Sequence, residues 1–236
     1  MSFGLLIIAA AAAAAPAKPK EALPPLGSRI VRPADLEQDD PGKLRSAFVS
    51  CVYAKQPALI TTMLAASDPS TVDFKVMGFD ASKMSSKLGL DSCLGKAMTG
   101  LPRGLKWTMN LATLRAMMLE AAYLSSYPSP PALLTALPPA QRRYVSGEAG
   151  IKSARELGDL ADCIVHADPV RSDALLRTPA GSSLERSMAK ALVPALVSCV
   201  PANQTVEMTV IAIRGFAADG LWTATLQPAE TSKAPT

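Results

Sequence analysis

A chain of 236 residues, 49% hydrophobic and 19% charged, has enough apolar mass for a globular core, which excludes a wholly disordered polar polymer. Only 5% is aromatic, so alanine, leucine and methionine must fill that core, and these strong helix formers favour helices over sheets. The formal charge of +4 is too modest to identify a partner, and the scarcity of aromatic residues counts against nucleic-acid binding.

The uncharged apolar run from Gly4 to Ala15 reads as an export leader, assigned to residues 1–17. It is shorter than the roughly 20 apolar residues of a spanning helix. Ala15-Pro16-Ala17 places small residues where a signal peptidase reads, and Ala12-Ala13-Ala14 is a competing site. Met1-Ser2-Phe3 contains no lysine or arginine, so the terminal amine is the only positive charge ahead of the run. No later stretch is long and apolar enough to span a bilayer, so the mature chain is expected to have no transmembrane segment and to reside in the periplasm or outside the cell. A proline-rich and charged segment follows, with Pro24-Pro25, Pro33 and the cluster Glu37-Gln38-Asp39-Asp40, and residues 18–42 read as an extended linker.

From Lys43 a helical pattern begins, with Leu44, Phe48, Cys51 and Val52 on one face. Pro57 suits the first turn of a second helix carrying Leu59, Ile60, Met63 and Leu64, because its missing amide hydrogen is not needed there. A short helix ending near Cys93, an extended stretch from Leu105 to Met109 and a helix capped by Asn110 complete a unit assigned to residues 43–124. The proline-rich connector 125–150 cannot hold a long continuous helix. Residues 151–222 then repeat the pattern. Leu157, Leu160, Cys163 and Ile164 share a face, Pro169 opens a helix with Val170, Ala174, Leu175 and Leu176, and Thr209 caps the last helix after Cys199. On this alignment Arg115, Glu120 and Tyr123 stand opposite Arg214, Asp219 and Trp222. The expectation is an all-α fold of two tandem, pseudo-equivalent repeats packed as one unit, with a flexible tail over 223–236.

Each first cysteine is expected to point towards the core. In an exported chain the four cysteines form two disulfides. Pairing within each repeat, Cys51 with Cys93 and Cys163 with Cys199, closes the same loop twice. The other two connectivities, which lock the copies together, also respect the duplication and remain open at this point. A structural zinc site is not expected, since there is no Cys-x-x-Cys spacing and only one histidine. No cofactor is expected either.

Ser187-Met188-Ala189-Lys190 fits the S-x-x-K pattern in which a lysine activates a nucleophilic serine, but the companion S-D-N and K-T-G elements are absent. Cys163 and His166, three apart on a helix, could meet as nucleophile and base if the thiol were free. The duplicated pairs Arg115 with Glu120 and Arg214 with Asp219 are the best polar candidates. Five residues is about 140° of helical rotation, so neither arginine can reach its own acid. Each can instead reach the acid of the opposite copy, as a structural crosslink or as the lining of a groove between copies.

Charge is unequal between the copies. Residues 43–124 hold ten basic and five acidic residues, 10 − 5 = +5, whereas 151–222 hold seven and eight, 7 − 8 = −1. Lys83, Lys87, Lys96 and Arg103 in the first copy could meet an anionic envelope surface. The alanine- and proline-rich composition points to a bacterial source of high GC content. The expected role is an exported, non-catalytic binding, scaffold or interaction protein of the cell envelope, with an envelope protein or anionic surface as partner. The alternative is a periplasmic serine or thiol hydrolase or transferase using Ser187 and Lys190, or Cys163 and His166.

Overall fold

The computed structural model describes residues 29–31, 40–101, 106–202 and 207–226. The expected leader, most of the expected linker, Arg103 and the last ten residues lie outside them. The described chain is mainly helical, as its composition demands. In the first half, α1 (Asp40–Lys55) and α2 (Pro57–Ala65) are separated by Gln56 alone. The residue before a proline is pushed out of the helical region, and Gln56 accordingly takes φ −138° and ψ 49°. Two short helices follow, α3 (Met84–Leu88) and α4 (Leu90–Ala97), divided by Gly89 at φ 67°, a left-handed conformation that glycine adopts without penalty. The long α5 (Leu111–Ser126) starts at Asn110, whose side chain accepts the Thr113 amide at 2.8 Å.

The second half has the same succession: α6 (Glu148–Ala167), α7 (Pro169–Leu176), two short helices α8 (Ser183–Ala191) and α9 (Val193–Cys199), and the long α10 (Val210–Thr225). Thr209 caps α10 by accepting the Ala212 amide at 3.1 Å. Each half thus has two short helices before its last long one, where the sequence pattern suggests one. The connector holds a single 3-10 turn, Ala132–Thr135, in otherwise irregular chain up to Gly147.

Both halves share one continuous core, running from Phe48 and Val52 on α1 through Leu114 and Met118 on α5 to Ile164 on α6 and Leu221 on α10. Helix α10 is its central element and packs against α5, α6, α7 and α8. Two disulfides join Cys51 to Cys93 and Cys163 to Cys199 across separations of 42 and 36 residues. On the chain-entropy model each restricts the unfolded chain by about 4 kcal/mol.

Several expectations are corrected. The segment 18–42 is not all linker: β1 (Arg29–Val31) pairs antiparallel with β2 (Lys106–Thr108), Ile30 opposite Trp107, and α1 already begins at Asp40. The tail is helical as far as Thr225, because α10 keeps Ala224 and Thr225 buried. Cys163 is exposed and Cys51 only half-buried, so the first cysteine of neither half points squarely inward. Leu157 and Leu160 are half-buried as well, and α6 faces the core through Ala154, Gly158, Ala161, Ile164 and Val165. The reason is proximity: α6 lies so close to α10 that a Cβ on Gly220 would sit 2.4 Å from the Ala161 carbonyl oxygen. Such an approach selects the smallest side chains rather than the most apolar. Val170 is likewise 62% exposed, since α7 turns Ser172, Asp173, Leu175 and Leu176 inward instead.

Candidate functional site

Helices α5 and α10 meet closely where Gly215 faces Ala116; a Cβ on Gly215 would stand 3.2 Å from the alanine methyl. Around this contact lie Arg115 and Glu120 of α5 and Arg214 and Asp219 of α10. The Arg214 guanidinium grips Glu120 with two bonds, Nε to Oε2 and Nη2 to Oε1, both 2.7 Å. Arg115 places Nη2 2.8 Å from Asp219 Oδ1 and donates from Nε to the Ser67 hydroxyl at 2.9 Å. The second ion pair is close but poorly aligned, and Asp219 Oδ1 accepts no hydrogen bond of good geometry. The structure therefore brings each arginine to the acid of the other helix and neither to its own.

Further groups extend these pairs. Arg214 also donates to the carbonyls of Leu175, Leu176 and Thr178, and so satisfies acceptors at the C-terminal end of α7. Its Nη1 shares Glu185 Oε1, at 3.2 Å, with Arg45, at 3.0 Å. On the other side Asp219 Oδ2 receives Arg142 Nη1 at 2.8 Å, and Arg142 grips Asp162 with its remaining nitrogens. Four arginines thus meet four acids, so the network is close to neutral in sum. Burial works against the charge on Arg214 and Arg142, but the acids beside them outweigh it, Glu120 for the first and Asp162 with Asp219 for the second. Both guanidinium pKa values are held above the ordinary one. Burial raises the Asp162 carboxyl despite Arg142.

Sequence reasoning missed Arg45, Arg142 and Glu185. Arg142 lies in the connector, where nothing in the pattern marks a buried charge; Gly158 makes room for it, since a Cβ there would stand 2.9 Å from Arg142 Cδ. Glu185 did carry a signal. It stands three residues after Ser182, the spacing of a capping box, and Ser182 Oγ accepts its amide at 3.1 Å. Its carboxylate reaches one residue beyond the cap, to the Gly181 amide at 2.6 Å, leaving Oε1 for the two arginines.

Two grooves flank the Arg214–Glu120 pair. The smaller, about 120 Å³, is bordered by Arg115, Glu120, Arg214 and Asp219 together with apolar side chains such as Ile211 and Phe216. The larger, about 560 Å³, lies between α1, α5 and the turn after α7. Arg45 borders both.

The proposed catalytic residues are placed differently. Ser187 and Lys190 are both exposed on α8, outside either groove, and the Ser187 hydroxyl donates back to the Ser183 carbonyl at 3.1 Å. Cys163 is bonded to Cys199, so the pair with His166 has no thiol. The His166 ring instead bridges two backbone carbonyls, Asp162 at 2.7 Å and Pro138 at 3.1 Å. Lys83, Lys87 and Lys96 are exposed, with no ion-pair partner among the described residues. Among the described residues no group of three or more His, Cys, Asp or Glu side chains is placed to hold a metal ion.

Another buried acid, outside this network, ties the connector down. Asp68, 1% exposed, accepts the amides of Ser70, Thr71, Val145 and Ser146 and the Ser146 hydroxyl, at 2.6 to 3.0 Å. Burial pushes its carboxyl up, but these donors together hold the pKa below the ordinary value of 3.8. A depressed folded-state pKa contributes stability that is complete above the unfolded value and is lost as pH falls through the folded one. Asp68→Asn is therefore expected to lower stability by about 2 kcal/mol at neutral pH. The difference from the parent chain should shrink below about pH 4. Urea unfolding of both proteins across that range checks it, and a difference independent of pH would show that Asp68 does not act through its charge.

Comparison of the chain with protein families, with curated proteins and with solved structures finds no match.

Proposed function

We propose that the chain is an exported, non-catalytic binding and interaction protein of the bacterial cell envelope, built from two copies of one disulfide-closed helical unit. The observation that carries this reading is the use made of the duplicated charges. Arg115, Glu120, Arg214 and Asp219 are engaged in ion pairs that cross between the halves, which makes the junction a fixed frame bordered by open grooves rather than a set of uncommitted acids and bases. Matched prolines at Pro57 and Pro169, matched caps at Asn110 and Thr209 and one disulfide in each half support the duplication. Two disulfides fit an oxidising compartment, and among the described residues no helix is long and apolar enough to cross a membrane.

A fluorophosphonate probe on the intact protein tests the non-catalytic reading. Ser187 is expected to remain unlabelled; labelling at Ser187 that Lys190→Ala abolishes would establish a serine acyl-transferase instead. Peptide mass spectrometry of protein from the native host, alkylated without reduction, tests the compartment. The expected result is a chain lacking its leader and carrying both disulfide-linked peptide pairs, whereas an intact leader with four alkylated cysteines overturns export. A second reading is favoured by Lys83, Lys87 and Lys96, which have no ion-pair partner among the described residues and are exposed along the segment from the end of the 3-10 turn Ala81–Lys83 through α3 and α4: contact of this face with an anionic surface. It requires salt-sensitive sedimentation with phosphatidylglycerol vesicles that reversal of these three charges abolishes.

A further inference from the structure

We infer that the larger groove is a binding site for a small molecule bearing an oxyanion, a carboxylate or phosphoryl group. The inference rests on the binding reading above and gives it a ligand class. At about 560 Å³ the groove has the size of a small-molecule site, roughly 300 to 1,000 Å³.

Its polar lining centres on one arginine and a set of hydroxyls. Arg45 is 7% exposed, and among the described residues its guanidinium bonds only Glu185, from Nη2. None of its nitrogens is a fully enclosed atom without a partner, so the remaining N–H groups stand open to whatever fills the adjoining space, solvent or ligand. Ser46, Ser50, Tyr53 and Ser125 border the same groove, and their hydroxyls have no partner among the described residues. Thr178 differs, because its hydroxyl donates to the Leu175 carbonyl and accepts from Arg214.

The acceptors are already committed. Glu120, the carboxylate on the wall, holds Arg214 with both oxygens. Arg177, at the far end, is anchored by Asp173 and by the Tyr127 and Pro128 carbonyls, which fixes its guanidinium in place at the groove. The open groups are therefore the Arg45 N–H donors and hydroxyls that can donate as well as accept, between two arginines that are paired with Glu185 and Asp173. An oxyanion complements the Arg45 guanidinium and can also accept from the hydroxyls, and Val49 and Leu124 offer its carbon skeleton an apolar wall.

The experiment titrates the intact, disulfide-bonded protein with inorganic phosphate in one arm and succinate in the other. Backbone and arginine side-chain NMR shifts are followed at constant ionic strength set with chloride. At least one probe is expected to give saturable shifts centred on Arg45 and Thr178, and the arm that saturates identifies the oxyanion. Arg45→Gln is expected to weaken that probe at least about tenfold by removing a charged donor. Ser50→Phe, at an exposed position, is expected to fill the groove, abolish the shifts and leave the melting temperature unchanged; it keeps the test decisive if Arg45→Gln unfolds. No saturation by either probe, or saturation that persists in Ser50→Phe, overturns the site. Neither of those results touches the non-catalytic reading, which falls only to labelling of Ser187.

Discussion

Replacing Arg214 with methionine is expected to cost about 3–5 kcal/mol, because it leaves the half-buried Glu120 without its partner and the buried Glu185 with Arg45 alone. The same change strips donors from the Leu175, Leu176 and Thr178 carbonyls, so the end of α7 loses its cap together with the ion pair. Domains of ordinary stability hold roughly 5–15 kcal/mol in all, so the variant should unfold at a much lower urea concentration. Pairing it with Glu120→Met is expected to recover part of the loss, since the second change removes the orphaned charge. The recovery should appear as a coupling of at least about 1 kcal/mol in a double-mutant cycle. Urea unfolding with both disulfides intact provides the measurement. An Arg214→Met protein within about 1 kcal/mol of the parent would mean that the crossing pair does not hold the halves together, as would an Arg115, Arg214 double variant with unaltered melting.

Two glycines on helices should respond to alanine with opposite signs. In Gly220→Ala the new Cβ would lie 2.4 Å from the Ala161 carbonyl oxygen and 2.7 and 2.8 Å from the Val165 methyls, so α6 and α10 must separate. Overpacking of this kind costs about 1–3 kcal/mol and here also displaces Asp219 next door, which outweighs the gain in helix propensity of roughly 1 kcal/mol. A net loss of about 2 kcal/mol is expected. Gly95, in α4, has nothing within 4 Å of its Cβ position, so Gly95→Ala keeps the propensity gain and should stabilise by up to about 1 kcal/mol. Thermal unfolding of the two variants side by side decides the matter; a stabilised Gly220→Ala would show that the helices can part without penalty.

The sequence was most legible where a residue type has one local use. Pro57 and Pro169 could only open helices, and Asn110 and Thr209 could only cap them, because each choice depends on neighbours a few residues away. The crossing of the charged pairs was also accessible, since a five-residue offset on a helix forbids pairing within it. Illegible were features fixed by the neighbour across the interface. The inward face of α6 is set by the closeness of Gly220 and, besides Ile164 and Val165, is made of Ala154, Gly158 and Ala161, which an apolar-periodicity argument passes over in favour of Leu157 and Leu160. Arg142 illustrates the same gap in irregular chain. Its burial depends on the space left by Gly158 on another element, and no periodicity describes a connector. The larger groove was invisible for the same reason, as α1, α5 and the turn after α7 supply it jointly.

The crossed ion pairs also bear on how the gene can change. A mutation at Glu120 is penalised for as long as Arg214 keeps its charge, and one at Arg115 for as long as Asp219 keeps its own. Neither half can drift independently at these positions, and an exchange of halves between diverged relatives would yield a folded chimera only where both partners of each pair had changed in step.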